Sequence, residues 1–201
     1  MKLYYSPGAC SLAVHIALRE TGADFEPVKV NLPAHTLADG GNYYDISPRG
    51  YVPLLELNDG SRHTEAASLL QYVADLGPSQ ALIGAAPSAR RLAVVEWLSF
   101  VATELHKTFS PLWDKTTPEA TQKVIKSKLA TRFADLDRQL AKNEFLAGDF
   151  SVADIYAFVI VNWANVLSIP LSDYPNLKSH QARIAARPQV QAALRAEGLT
   201  K

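Results

Sequence analysis

Glycine and proline divide this 201-residue chain into two stretches with different hydrophobic rhythms. Gly77-Pro78-Ser79-Gln80 opens a breaker-rich connector that continues through Ala85-Ala86-Pro87. Before it, short apolar runs alternate with helical patterns. After it, every strong pattern is helical. Such a chain is expected to fold as a small α/β domain followed by an all-α domain, with segments 1–78, a linker 79–87, and 88–201.

The first segment reads strand, helix, strand, then strand, strand, helix. Lys2–Tyr5 is the first strand, and a helix over about Ser11–Thr21 is stopped by Gly22. A second strand lies around Phe25–Val30. A polar connector, Asp39-Gly40-Gly41-Asn42, leads to a short helical turn near Tyr43–Ile46. Leu54–Leu57 and Arg62–Thr64 pair across the turn signal Asn58-Asp59-Gly60. A helix then runs from about Glu65 to Gly77. Four strands with two main helices match a thioredoxin-like arrangement.

The second segment opens with a helix from about Ser88 to Trp113, whose Leu98, Val101, Leu105, Phe109 and Leu112 share one apolar stripe. Another helix covers about Pro118 to Leu140. Ser151-Val152-Ala153-Asp154 has the form of a capping box with Asp in place of the usual Glu. It opens a very apolar helix through Val161 and Trp163, expected to be buried all round. Pro170 and Pro175 punctuate the next turn, and Pro188 splits two short final helices.

Composition narrows the function classes. The chain is 48% hydrophobic and 20% charged, ordinary for a globular protein. Its net charge is zero; residues 1–80 carry five basic and nine acidic side chains, and residues 81–201 carry fifteen and eleven. Neither half is basic enough to suggest nucleic acid as a partner. No run approaches the roughly 18 apolar residues of a membrane span, and with the first residues running directly into a strand and no signal-peptide h-region among them, no secretory signal is expected. With one cysteine, no intramolecular disulfide can form, which favours a reducing, cytoplasmic setting.

That cysteine, Cys10, lies in Tyr4-Tyr5-Ser6-Pro7-Gly8-Ala9-Cys10-Ser11, between a strand, a Pro-Gly turn and the first helix. Unpaired N–H groups and the dipole at a helix start favour the thiolate, the reactive species. Free cysteines are also often small buried hydrophobes, so position alone leaves both readings open.

Three further places carry candidate chemistry. Val52-Pro53 precedes a strand. A cis bond there would leave the Val52 backbone free to pair with an extended peptide, whereas an ordinary proline would only start an edge strand. Thr64-Glu65-Ala66 opens a helix whose N–H groups can hold a carboxylate, while Glu65 can accept from an ammonium or simply complement the helix dipole. On the long helix, Ser99, Thr103, His106 and Ser110 share one face beside Lys107. His106 can donate to a thiolate, or the face can be plain solvated surface. His15 reads as structural. No spacing suggests a metal site, a phosphate-binding glycine loop or a nucleophilic-serine elbow.

Taken in order, Met1-Lys2-Leu3-Tyr4-Tyr5-Ser6-Pro7-Gly8-Ala9-Cys10-Ser11-Leu12, Gly50-Tyr51-Val52-Pro53, Thr64-Glu65, Gln71-Tyr72-Val73-Ala74-Asp75, Glu104-Leu105-His106-Lys107, Phe109-Ser110-Pro111-Leu112 and Ser151-Val152-Ala153-Asp154-Ile155-Tyr156 resemble the bacterial beta-class glutathione S-transferases over essentially the whole chain. The resemblance implies an N-terminal thioredoxin-like domain, an all-helical C-terminal glutathione-transferase domain and a homodimer. It implies glutathione as co-substrate, bound by Cys10, Leu32, Tyr51, Val52, Pro53, Glu65, Ala66, Ser99, Thr103, Glu104, His106 and Lys107, with no metal. Cys10 and His106 are its catalytic pair. Val52 would meet the cysteinyl backbone with Pro53 cis, and Glu65 and Ala66 would hold the γ-glutamyl end. Ala66 departs from the wider superfamily, where a serine hydroxyl often holds that carboxylate. The implied activity is conjugation of glutathione to small electrophiles, with thiol-disulfide exchange through Cys10. The alternative is a non-catalytic binder of glutathione or apolar ligands. Pro111–Trp113, Gly8-Ala9 and the chain beyond Asn162 would form the second-substrate pocket, with Trp113 and Trp163 as an apolar wall.

Overall fold

The computed structural model describes residues 1–200. Its chain forms two compact units, Met1–Leu82 together with the residues from Arg187 onward, and Ile83–Ala186.

The first unit begins with β1 (Lys2–Tyr5) and α1 (Ser11–Thr21). Gly22 ends α1 at φ +70°, and its N–H returns to Arg19 and Leu18 carbonyls. Glycine reaches that left-handed conformation without the clash a Cβ brings. Next come β2 (Glu26–Asn31), β3 (Thr36–Leu37), a 3₁₀ turn at Tyr43–Asp45, β4 (Leu54–Glu56), β5 (Arg62–His63) and α2 (Ala66–Leu76). The sheet order is β3-β2-β1-β4-β5, with β1 and β2 parallel and the other pairs antiparallel. Leu3, central in β1, stands opposite both Pro27 and Leu55.

The expected four strands become five. The addition, β3, is two residues long and pairs Leu37 with Val30 and Thr36 with Asn31. So short an edge strand has no alternation to read; its partner defines it. On one face of the sheet, Tyr4, Val30, Tyr43, Val52 and Leu54 form a buried cluster with Leu32 packed against it.

The second unit contains α3 (Ala89–Phe100), a π-helical stretch (Val101–His106), α4 (Lys107–Phe109), a 3₁₀ turn (Ser110–Trp113), α5 (Glu119–Leu140), α6 (Val152–Val166) and α7 (Pro175–Ala185). The long helix expected over Ser88–Trp113 is therefore continuous in path but changes winding at Val101. Leu98, Val101, Leu105 and Phe109 of the expected apolar stripe are fully buried, while Leu112, in the 3₁₀ turn, is only half-buried. The wider π turn rotates the residues that follow it, and such turns occur often at functional sites. At the start of α6, the Ser151–Asp154 capping box is present. Ser151 donates to Oδ2 of buried Asp154, whose Oδ1 accepts from the Leu146 amide at 2.8 Å and sits 2.9 Å from His180 Nε2, so both oxygens are satisfied.

The final helix, α8 (Pro188–Ala196), belongs to the first unit and packs on α1. The sequence segmentation had carried residues 88–201 through as one helical domain. Arg187, where the chain crosses back, makes a two-pronged ion pair with Glu20 of α1 at 2.8 and 3.0 Å.

Candidate active site

Cys10 sits at the N-cap of α1, 9% exposed. Its thiol donates to the Val52 carbonyl at 3.3 Å. The Val52–Pro53 peptide bond is cis. Val52 lies two residues ahead of β4, outside that strand's ladder. Both the Tyr43 hydroxyl (2.9 Å) and the Ser47 hydroxyl (3.3 Å) donate to the Tyr51 carbonyl, which fixes the backbone entering the cis bond. The Tyr51 side chain itself is 62% exposed.

Glu65 caps α2 with φ +70° and ψ 105°, a conformation that costs a non-glycine residue energy and persists only where surroundings impose it. Its carboxylate is exposed, 3.8 Å from Arg49 Nη1. Ala66, the first residue of α2, is buried behind it. Within this unit, then, Cys10 meets the backbone carbonyl of Val52 beside Pro53, Leu32 packs against the cluster that includes Val52, and Glu65 and Ala66 open the helix that follows β5.

The loop before Cys10 is tied from the far end of the chain. The Gly8 amide donates to Glu197 Oε2 at 3.0 Å, and His15 Nδ1 lies 2.9 Å from Glu197 Oε1. Arg19 Nε donates to His15 Nε2 at 3.0 Å. A guanidinium only donates, so Nε2 accepts and Nδ1 carries the proton given to Glu197. His15 is structural, as its sequence context suggested; the role of Glu197 is invisible in sequence because 182 residues separate the pair. Burial raises the Tyr5 phenol above its ordinary pKa, with Glu197 adding to the effect, and burial followed by Glu56 raises Tyr4. Neither phenol is poised as an acidified nucleophile activator.

The residues singled out on the long helix separate in the second unit. Ser99 and Thr103 are exposed, and their hydroxyls donate to the Val95 and Ser99 carbonyls of their own helix, each at 2.9 Å. Glu104 pairs with Arg132 of α5 at 2.9 Å. Lys107 is exposed. His106 instead turns inward: Nδ1 is 2.7 Å from the Tyr156 hydroxyl, and its ring stands edge-on to Trp163 at 5.0 Å between centroids. Burial, with Lys107 adding repulsion, lowers its pKa to about 4, so the ring is neutral at pH 7. A neutral ring can donate one hydrogen bond, through whichever nitrogen carries its proton. Trp113 and Trp163 meet edge-to-face at 5.4 Å; Trp163 is buried and Trp113 is 45% exposed. Among the described residues, no cluster of three or more His, Cys, Asp or Glu is placed to hold a metal, and no helix is long and apolar enough to cross a membrane.

Two family models match, the glutathione S-transferase N-terminal domain over residues 8–76 and its C-terminal domain over residues 100–188. Glutathione S-transferase GstA of Escherichia coli O157:H7 is 40% identical over 99% of this chain and 100% of its own length. This chain belongs to the glutathione S-transferase family. A beta-class glutathione S-transferase of Sphingomonas chungbukensis superposes with a TM-score of 0.94 at 42% identity, covering all of both chains. A sphingomonad glutathione S-transferase complexed with glutathione gives 0.95 at 43% identity, again over the full length of each.

Proposed function

We propose that this family member conjugates the glutathione thiolate to small electrophiles and, through Cys10, also carries out glutathione-dependent thiol-disulfide exchange. The observation that carries the reading is the contact between Cys10 and the carbonyl of Val52 beside the cis-proline. It puts the lone sulfur at the backbone group where an extended tripeptide would pair. The glutathione set is Cys10, Leu32, Tyr51, Val52, Pro53, Glu65 and Ala66 of the first unit, and Ser99, Thr103, Glu104, His106 and Lys107 of the second. Cys10 and His106 are assigned the catalytic roles.

In conjugation, the glutathione thiol gives its proton to solvent, the thiolate attacks the electrophilic carbon, and a halide or similar group leaves with the bonding pair. Stabilising the thiolate is the protein's main contribution, through the α1 N-terminus, His106 as donor and the Lys107 charge. In exchange, the Cys10 thiolate attacks a glutathione mixed disulfide and expels the partner thiolate. A second glutathione thiolate then releases oxidised glutathione and restores Cys10. The active form is assigned as a homodimer in a reducing cytoplasm, which the lone cysteine favours.

Glutathione-affinity capture followed by turnover tests this reading. An aromatic halide and a glutathione mixed disulfide are both expected to be consumed. Retention on the matrix without turnover of either would support a binding protein instead. Sedimentation is expected to give a dimer; a monomer at micromolar concentration would overturn that assignment.

A further inference from the structure

We propose that Tyr156 is a positioning residue that fixes the tautomer of His106, holding its single proton on Nε2 so that the ring presents a hydrogen-bond donor. The proposal rests on the assignment of His106 to the glutathione thiolate and adds the residue that sets its polarity.

Tyr156 is on α6 and 1% exposed, in a helix otherwise apolar on nearly every side. A phenol buried in such a place has to find a partner, because an unpaired hydroxyl costs the full desolvation of that group. The contact to His106 Nδ1 at 2.7 Å is short for an O–H···N bond. The two rings are nearly perpendicular, at 87°. Trp163 closes a further side of the imidazole edge-on, 5.0 Å between centroids, and is itself backed by Phe109 at 5.8 Å.

A neutral imidazole carries one proton, and either nitrogen can hold it. If Nδ1 held it, Nδ1 would donate to the phenol and Nε2 would be a bare lone pair, suited to accept a thiol proton as a general base. If Nε2 holds it, the phenol donates to Nδ1 and Nε2–H can stabilise a thiolate. The second arrangement is favoured because a phenol is a far stronger acid than a neutral imidazole N–H, so O–H···N is the stronger bond. Desolvation of His106 keeps the ring neutral at working pH, which makes the choice of tautomer decisive. The π-helical stretch matters here too: it ends at His106 and turns that ring towards α6, while Thr103 and Lys107 on either side stay exposed.

The test uses the full chain with ¹⁵N-labelled histidine. Long-range proton–nitrogen correlations read which ring nitrogen of His106 is protonated, with His106→Gln identifying the signal. In the unsubstituted protein the proton is expected on Nε2. Tyr156→Phe keeps the ring and its packing but removes the donor. It is expected to give a mixed tautomer signal and to lower kcat/KM for conjugation roughly threefold to tenfold, the loss of one buried hydrogen bond. In a His106→Gln background the same change is expected to have little further effect. A proton found on Nδ1, or a Tyr156→Phe protein with unchanged tautomer and unchanged kcat/KM, overturns the proposal. The nuclear magnetic resonance readout needs no turnover, so absent transferase activity would count against the functional reading and leave the tautomer result intact.

Discussion

The thiol of Cys10 and the carbonyl of Val52 form a 3.3 Å hydrogen bond across the start of α1 and the cis-proline turn. The same carbonyl is the acceptor assigned to the backbone of bound glutathione. On the proposed reading, sulfur reactivity and tripeptide binding meet at Val52. Cys10→Ser retains an O–H donor for Val52 but removes the nucleophilic sulfur. It is expected to lose disulfide exchange by roughly a hundredfold or more while conjugation stays within about threefold. Cys10→Ala should behave alike. Steady-state assays with a mixed disulfide and an aromatic halide measure the split; undiminished exchange in either variant would remove Cys10 from the covalent step.

Tyr43 and Ser47 act one residue upstream. Both hydroxyls donate to the Tyr51 carbonyl, and Tyr43 is fully buried. Tyr43→Phe should cost about 1 kcal/mol of stability and weaken glutathione binding several-fold, because Val52 loses part of what holds its backbone. Adding Ser47→Ala should cost more than the two single changes together, since the carbonyl then keeps neither donor. Urea titrations and calorimetric glutathione binding on the four proteins of that cycle decide the matter. Simple additivity would show the two hydroxyls acting independently.

Acid sensitivity follows from His106. Its pKa in the folded chain, about 4, lies below the unfolded value of 6.5. The folded state thus resists a proton that the unfolded state takes up. This contribution is fully present above pH 6.5 and drains away as pH falls towards 4, amounting to at most about 3 kcal/mol. Replacement by glutamine removes the titration. Chemical denaturation at pH 7 and pH 4.5 should therefore show the unsubstituted protein losing more stability than His106→Gln; equal losses would place the burden on other groups.

Local signals carried the reading of the fold a long way. The bounds of α1 follow from the chain itself, because Gly22 supplies the left-handed stop, and the start of α6 follows from the Ser151–Asp154 spacing. The chemistry around Cys10 and Val52-Pro53 was legible as residue types in order. What escaped is long-range or winding-dependent. Leu98, Val101, Leu105 and Phe109 keep an ordinary helical spacing through the π-helical stretch, so nothing in that stripe announces the change; His106 at its end is half-buried, while Thr103 within it is exposed. Tyr156 lies among apolar neighbours on α6, and its partner His106 is 50 residues away in sequence. β3 is too short to carry a pattern of its own, and the Glu197 tie exists only because distant segments come together.

That tie gives the last expectation. Glu197 accepts from the Gly8 amide at 3.0 Å through one oxygen and faces His15 Nδ1 at 2.9 Å through the other, with its side chain fully buried. Gly8 itself sits at φ +72° with Leu199 over it, so the loop leading to Cys10 is both conformationally demanding and covered by the chain's end. Glu197→Ala removes the carboxylate that accepts from the buried His15 ring and from the half-buried Gly8 amide, and leaves the Arg19–His15 pair without its terminus, which should cost about 3 kcal/mol. Glu197→Gln keeps an acceptor oxygen for one of the two and should cost less. Because the Gly8 loop carries Cys10, disulfide exchange in Glu197→Ala should fall more than the stability change alone removes at 25 °C, where the protein remains folded. Guanidinium titration beside exchange assays separates the two effects. An exchange rate equal to that of the unsubstituted protein would show that the loop keeps its shape without Glu197.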